Sequence, residues 1–324
     1  MSVPGVQKPA PQLRPSGNFF ARAWSNLGKY RAIYFLLLPG LVWYILFAVV
    51  PLFGLVLSFK SYKANLGIWR SPFVGLKNFE RVFRDVNFWK SVRQTLYINV
   101  FRLIFCFPFP ILLALLLNEL RLRKAVRPLQ VIYTLPHFLS WVIIASIFNT
   151  ILSHNGMVNN VLAALGLPTA KIIGNKSAFI PLLYFTDIWR SMGWSAIVYM
   201  AAIADIDTEQ YEAADIDGAT RMQRLWRITL PNIFPTIVIM FILAAGNIMT
   251  AGFNQVFNFS NAAVRDVAET LDMYIYRISF QSVPDFGFSM SVTLFRSVVN
   301  LVLLLLADTG SKLLGGNGLF RISA

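Results

Sequence analysis

Long uncharged apolar stretches, separated by short charged segments, dominate the chain. The first stretch, residues 32–59, contains no Asp, Glu, Lys or Arg. About 20 helical residues are enough to cross the hydrocarbon core of a membrane, which is about 30 Å thick. The pattern predicts about six membrane-spanning helices, at residues 32–59, 95–118, 129–152, 178–203, 232–258 and 287–307. The expected fold class is an all-α, polytopic membrane helical bundle.

The N-terminal segment favours one orientation of this bundle. Residues 1–31 contain five basic residues and no acidic residue, and the apolar stretch behind them starts too late and is too long for a cleavable signal. A basic flank before the first span favours a cytoplasmic N-terminus. We therefore predict cytoplasmic tails at 1–31 and 308–324, a transmembrane domain at 32–307, and a cytoplasmic loop at 204–231.

Composition excludes several other classes of protein. The 324 residues are 56% hydrophobic and only 14% charged, whereas a soluble domain has about 25% charged residues. The net charge of +14 alone would suit a nucleic-acid binder, but no soluble basic domain is evident. One cysteine, Cys106, and two histidines, His137 and His154, exclude a disulfide framework and a Cys/His metal site.

The loop at 204–231 contains the strongest local signals. Six acidic residues precede three arginines, and capping residues predict two short helices. Asp207 can cap the first helix, Gly218 suits a left-handed helix end, and Thr220 with Gln223 forms a capping box for the second. A helical hairpin at a membrane surface is suited to docking on a partner. A solvated connecting loop is the alternative.

The same loop resembles a family signature. Glu212-Ala213-Ala214, three residues, Gly218, nine residues, Ile228, one residue and Leu230-Pro231 match, in type and spacing, the signature of membrane subunits of binding-protein-dependent ABC importers. The resemblance implies that the loop is cytoplasmic and forms the coupling helix that sits in a cleft of an ATPase subunit. The implied coupling residues are Glu212, Ala213, Ala214, Asp217, Gly218 and Arg221.

Three further segments resemble the sugar-importing branch of this family, and most of all its oligosaccharide and polysaccharide subgroup, including alginate importers. They are residues 117–121, 133–138 and 189–194. The resemblance implies a bacterial inner-membrane assembly with a second homologous membrane subunit, two ATPase subunits, an extracytoplasmic solute-binding protein, an oligosaccharide substrate and surrounding lipid. The chain contains no phosphate-binding G-x-x-x-x-G-K-[ST] stretch, so ATP and Mg²⁺ are expected on the partner ATPase and no cofactor on this chain.

Polar residues within the predicted spans are candidates for the substrate path. Charged groups at membrane depth are costly and must face protein or water. Asp187 and Arg190 are three residues apart and can pair on one helix; Arg102 can reach outward to the membrane surface; Arg296 has no acidic residue near it in sequence. Aromatic faces and amides suit sugars, although packing between helices would use the same residues. The proposed path residues are Trp189, Arg190, Trp194, Asn247, Asn254 and Arg296.

Two other functions are compatible with a bundle of apolar helices. A self-sufficient secondary sugar transporter would need no ATPase and would usually show two related halves, which the sequence does not show. A membrane-embedded enzyme would need converging acidic residues, but six of the 15 acidic residues lie in the 204–231 loop. The basic excess on the outer segments favours an acidic saccharide, although lipid phosphates would be attracted as well.

Overall fold

The computed structural model describes residues 30–120 and 122–313, and the regular structure within those ranges is helical. The β contact described there is an isolated antiparallel bridge between Lys60 and Phe73. The predicted all-α fold class is therefore confirmed. Most of the two predicted tails, 1–31 and 308–324, lies outside the described residues, and residues 308–313 form the end of the last helix.

The described residues up to Leu55 and those from Val56 onward form two units. In the first unit, helix α1 spans Arg31–Tyr44 and continues into a π-helical turn, Ile45–Val49, and a short helical turn, Val50–Leu52. None of the side chains of α1 is buried, although the helix is strongly apolar. An apolar helix without a polar face is typical of a membrane span.

A 3-10 segment, Phe53–Phe59, precedes the helices of the second unit. In chain order these are α2 (Gly67–Arg70), α3 (Lys77–Arg84), α4 (Val86–Phe105), α5 (Pro108–Asn118), α6 (Arg123–Thr134), α7 (Trp141–Leu152), α8 (Met157–Ala164), α9 (Lys176–Ala204), α10 (Thr208–Ile216), α11 (Arg221–Arg224), α12 (Leu230–Ala245), α13 (Phe253–Phe259), α14 (Arg265–Ala268), α15 (Leu271–Tyr276) and α16 (Phe286–Leu313).

Five helical stretches of the described chain are long and apolar enough to cross a membrane: Arg31–Phe59, Val86–Asn118, Trp141–Ala164, Arg221–Ala245 and Phe286–Leu313. The fourth predicted span, 178–203, lies within α9, a 29-residue helix that is not among these five. Asp187 and Arg190 lower the apolarity of α9. The second span begins at Val86, before the predicted residue 95, because the Asp85 side chain caps α4 by accepting a hydrogen bond from the Asn87 N–H (2.7 Å).

Two predicted spans are interrupted. In the third, 129–152, α6 ends at Thr134 and a 3-10 turn follows at Leu135–Phe138. Helix α7 then starts with Ser140 as its cap. Pro136 lies within the 3-10 turn and lacks the N–H that a continuous helix would need.

The fifth predicted span, 232–258, is interrupted as well. Helix α12 ends at Ala245, and α13 starts after Gly252, whose φ of +73° is left-handed and therefore favours glycine. We call residues 246–252 the broken segment.

Helix α9 lies at the centre of the second unit. It contributes Phe179, Leu182 and Leu183 to one buried apolar cluster, shared with α4, α7 and α13, and Ala196 and Tyr199 to another, shared with α5 and α12. A third cluster joins α3, α4, α15 and α16. Helix α9 therefore connects two of the three buried apolar clusters, one before and one after Asp187 along the helix.

The contact between α9 and α6 depends on a glycine. A Cβ atom at Gly193 would overlap the carbonyl oxygen of Tyr133 and lie 2.8 Å from the backbone nitrogen of Thr134. Real Cβ atoms do not approach a backbone so closely, so these two helices can meet here only because residue 193 has no side chain.

Candidate functional site

The 204–231 loop, which we call the coupling loop, begins with helix α10, whose two ends are both capped by hydrogen bonds. Asp207 caps α10 by accepting a hydrogen bond from the Glu209 N–H (3.0 Å). At the other end, the N–H of Ala219 donates to the carbonyl of Ala214 (2.9 Å), and the N–H of Gly218 donates to Asp215 (3.1 Å). This pair of bonds is a Schellman motif, and Gly218 has the left-handed φ of +71° that the motif requires.

The second half of the loop is fixed by a capping box and by cross-links to the first. The Thr220 N–H donates to Gln223 Oε1 (2.7 Å), while the Gln223 N–H donates to Thr220 Oγ1 (3.4 Å). Arg224 forms an ion pair with Asp215 of α10. The hydroxyl groups of Tyr211 and Thr229 lie 2.9 Å apart. These contacts hold the two halves of the loop as one hairpin.

The hairpin presents apolar side chains to its surroundings. Ile216 is 87% exposed, Met222 63% and Trp226 61%. Of the six residues predicted for coupling, Glu212, Ala213, Asp217, Gly218 and Arg221 are exposed, and Ala214 is half-buried. Arg221 also donates to the carbonyl of Glu119 at the end of α5 (3.4 Å). The exposed apolar residues Ile216, Met222 and Trp226 were not among the residues predicted for coupling, although Met222 and Trp226 are four residues apart on one helical face.

A second site is a cavity of about 320 Å³ between α4, α5, α9, α12 and the broken segment. Its apolar walls are interrupted by a few polar side chains, a composition typical of small-molecule sites. The polar lining residues are Asn99, Arg102, Asp187, Ser191, Ser195, Tyr199, Asn247 and Thr250.

Arg102 and Asp187 face each other across this cavity. Arg102 Nε lies 3.5 Å from Asp187 Oδ2, and the two side chains are 19% and 22% exposed. Arg102 also donates to Gln255 Oε1 (2.7 Å) and to the carbonyl of Ala251 (3.2 Å). The prediction that Arg102 reaches outward to the membrane surface, made from its position near a span end, is therefore wrong: Arg102 points into the bundle. An inward charge at this depth is tolerated because acceptors surround it.

Side chains from other helices satisfy the backbone of the broken segment. Asn99 donates to the carbonyl of Ile248 (2.7 Å), Asn300 Oδ1 accepts from the Met249 N–H (3.0 Å), and Asp272 Oδ2 accepts from the Ala251 N–H (3.2 Å). Non-helical backbone at membrane depth is tolerated only where such partners or water are present. Asn99 and Arg102, which line the cavity, therefore also stabilise the interruption of the helix.

Three of the six predicted path residues lie on α9 and point away from this cavity. Arg190 donates to the carbonyls of His137 (3.1 Å) and Leu139 (3.2 Å) and lies 4.8 Å from the centre of the Trp141 ring. The predicted pair of Asp187 with Arg190 is therefore wrong: Asp187 pairs with Arg102, and Arg190 binds the carbonyls at the interruption of the third span.

The other two predicted path residues on α9, Trp189 and Trp194, are aromatic. Trp189 packs edge-on against Phe148 (5.6 Å between ring centres), and Trp194 stacks on His137 (4.7 Å).

The remaining three predicted path residues lie apart from one another. Asn247 lines the cavity, whereas Asn254 is exposed on α13. Arg296 forms an ion pair with Asp272, which in turn accepts from the broken segment. The acidic partner of Arg296 is 24 residues away in sequence, so inspection of nearby positions could not find it. Within the described ranges, no group of three or more His, Cys, Asp or Glu side chains could hold a metal ion.

Comparison with known proteins adds independent information. A family model described as the inner membrane component of binding-protein-dependent transport systems matches residues 91–312. The polygalacturonan/rhamnogalacturonan transport system permease protein YteP of Bacillus subtilis (strain 168) is 39% identical over 296 residues, which cover 91% of this chain and 92% of that protein. The lactose transport system permease protein LacF of Rhizobium radiobacter is 30% identical over 259 residues, covering 76% of this chain and 84% of that protein.

A solved structure agrees with these relatives. A chain in the crystal structure of a bacterial alginate ABC transporter, in complex with alginate pentasaccharide-bound periplasmic protein, is 34% identical and superposes with a TM-score of 0.82. The match covers 92% of this chain and 100% of that chain. The resemblance read from the coupling loop is thereby confirmed: the chain belongs to the family of inner membrane components of binding-protein-dependent transport systems and is related to the permeases of sugar ABC transporters.

Proposed function

We propose that this chain is a membrane subunit of an ATP-driven importer and that it forms part of the translocation path for an oligosaccharide or polysaccharide. In this proposal a second, homologous membrane subunit completes the path, two ATPase subunits bind ATP and Mg²⁺, and a solute-binding protein delivers the saccharide from outside. The chain would lie in a bacterial inner membrane with both termini in the cytoplasm.

The coupling loop is the single observation that carries this proposal. Its Schellman motif, its capping box and the ion pair between its halves close the loop into a hairpin that presents a defined surface. Its apolar residues Ile216, Met222 and Trp226 are exposed on a rigid hairpin, and exposed apolar groups of this kind mark protein interfaces. We infer that ATP-driven closure of the ATPase pair moves this hairpin and thereby switches the spans between outward and inward access.

The cavity between α4, α9 and α12 is the proposed saccharide path within this subunit. Asn99, Ser191, Ser195 and Asn247 offer hydrogen-bonding groups, and Arg102 adds a positive charge. Among the related proteins are permeases whose names refer to polygalacturonan and to alginate. Together with the net charge of +14, this supports an acidic saccharide as the substrate.

Co-purification with the ATPase subunit tests the proposal. A central aromatic anchor of an interface contributes about 2 kcal/mol or more, so Trp226→Ala is expected to weaken ATPase binding by about 30-fold or more. Trp69→Ala is the matched control, because Trp69 is similarly exposed (73%) and lies in the predicted outer loop between residues 59 and 95. Equal recovery of the ATPase with both variants would contradict the proposed docking role of the coupling loop.

A further inference from the structure

A polar groove lies between α7 and α13, separate from the charged cavity. Its volume is about 610 Å³, and it contains no charged side chain among its lining residues. Five of those residues are polar: Ser146, Asn149, Thr150, Ser153 and Asn258. The first four lie on α7 or at its end, and Asn258 lies on α13, so two helices together build the groove.

The polar residues of α7 occupy one face of a helix that is otherwise apolar. Their spacing of three, four and seven residues places them in one row. Ile144 is buried in the core, and the groove-lining Ala145 is buried beside the polar row. Ile147 is 41% exposed on another side of the helix, and an apolar side chain there suits lipid chains. The polar row suits lipid chains less well, because an amide such as that of Asn149 would be left in hydrocarbon without a hydrogen-bond partner.

Hydrogen bonds within the helices leave acceptor oxygens facing the groove. The Thr150 hydroxyl donates to the Ser146 carbonyl (2.9 Å), and the Ser153 hydroxyl donates to the Thr150 carbonyl (3.0 Å). The Asn258 amide nitrogen donates to Asn254 (2.7 Å), which leaves its amide oxygen available. The Asn149 amide has no hydrogen-bond partner among the residues that the structure describes.

We propose that this groove is a second saccharide-binding site, in which sugar hydroxyl groups bind the amides and hydroxyls of α7 and α13. The inference rests on the proposed function and adds an uncharged contact site to the charged cavity. The volume lies within the range of about 300–1,000 Å³ that is usual for small-molecule sites. An apolar helix of a partner subunit would fit poorly, because each amide buried without a partner costs about 1–3 kcal/mol.

Cysteine accessibility in the assembled transporter, reconstituted in lipid vesicles, tests this site. Ser146→Cys and Ser153→Cys probe the groove, and Ile147→Cys and Ile151→Cys are controls on the same helix, because neither residue lines the groove. Each variant keeps Cys106, so the parent chain gives the background. A charged, membrane-impermeant methanethiosulfonate reagent reacts only with thiols in contact with water, and we expect the groove variants to react at least about tenfold faster than the controls.

Saccharide protection then identifies the occupant. Alginate or galacturonan oligosaccharides are expected to slow labelling of the groove variants without changing that of the controls. Groove variants that label as slowly as the controls would show that the groove is covered, and would overturn the inference. Labelling without protection, by a saccharide that still stimulates ATP hydrolysis, would overturn the inference alone. If none of these saccharides stimulates ATP hydrolysis, the proposed function and this inference both fail.

Discussion

Replacing Gly218 with alanine isolates the contribution of the coupling-loop backbone. Gly218 has a φ of +71°, and a Cβ atom there would meet no other atom within 4 Å. The substitution therefore causes no clash, and its cost comes only from holding an L-residue in the left-handed conformation. That cost is about 1–2 kcal/mol, which lowers the equilibrium constant for closing the hairpin by a factor of about 5–30.

The expected consequence is a weaker ATPase complex. If docking requires the closed hairpin, the Kd for the ATPase subunit rises as the closed fraction falls, by up to the same factor of about 5–30. Titration of the ATPase subunit against the permease in lipid nanodiscs measures this Kd. Gly218→Asn is expected to bind more tightly than Gly218→Ala, because asparagine adopts the left-handed conformation more readily.

Gly310→Ala is the matched control for this series. Gly310 lies in the interior of α16, has no positive φ, and also has open space where a Cβ would be placed. It is expected to leave ATPase binding unchanged. Parent-like binding by Gly218→Ala would refute the reasoning. Identical losses with alanine and asparagine would also refute it, since the backbone conformation would then not be the property that matters.

Three further predictions concern stability. Arg102→Leu or Asp187→Leu alone leaves one charge of the ion pair at membrane depth and is expected to lower stability by about 3 kcal/mol, whereas the double variant loses less. Thermal unfolding in detergent measures the stability of all three variants. A double variant less stable than both single variants would contradict the pairing. Gly193→Ala is expected to lower stability by about 1–3 kcal/mol in the same assay, because its Cβ would overlap the backbone of α6; an unchanged melting temperature would show that the two helices do not meet so closely. A hydrogen bond and the positive charge of Lys176 hold the pKa of Asp266 below its ordinary value of 3.8. A carboxylate with a lowered pKa stabilises the fold above its unfolded pKa, so this stabilisation is fully present above pH 3.8 and is lost as the pH falls further. Lys176→Met should reduce this acid sensitivity, and unaltered acid unfolding curves would contradict the assignment.

The coupling loop could be predicted from sequence because its structure depends on local contacts. The Asp207 cap, the left-handed Gly218 and the Thr220–Gln223 capping box all join residues within a few positions of one another. The ion pair of Asp215 with Arg224 joins the two halves and was not predicted. It connects residues nine positions apart, across a turn.

The polar contacts of the cavity could not be predicted in the same way. Arg102 and Asp187 belong to α4 and α9, and only the packing of these helices brings them together. Local reasoning instead paired Asp187 with Arg190, its neighbour on the same helix. The broken segment was likewise predicted as continuous helix, because Asn99 and Asp272, which bind its backbone, are far from it in sequence.

ATP hydrolysis by the reconstituted transporter tests the central claim most directly. The permease, its partner membrane subunit, the ATPase and the solute-binding protein would be assembled in lipid vesicles and supplied with uronate or neutral oligosaccharides. The account predicts that a uronate oligosaccharide stimulates ATP hydrolysis and accumulates across the membrane only when ATP is present. Accumulation driven by an ion gradient without ATP would instead support a secondary transporter and contradict the account. A response to neutral oligosaccharides alone would contradict the proposed acidic substrate.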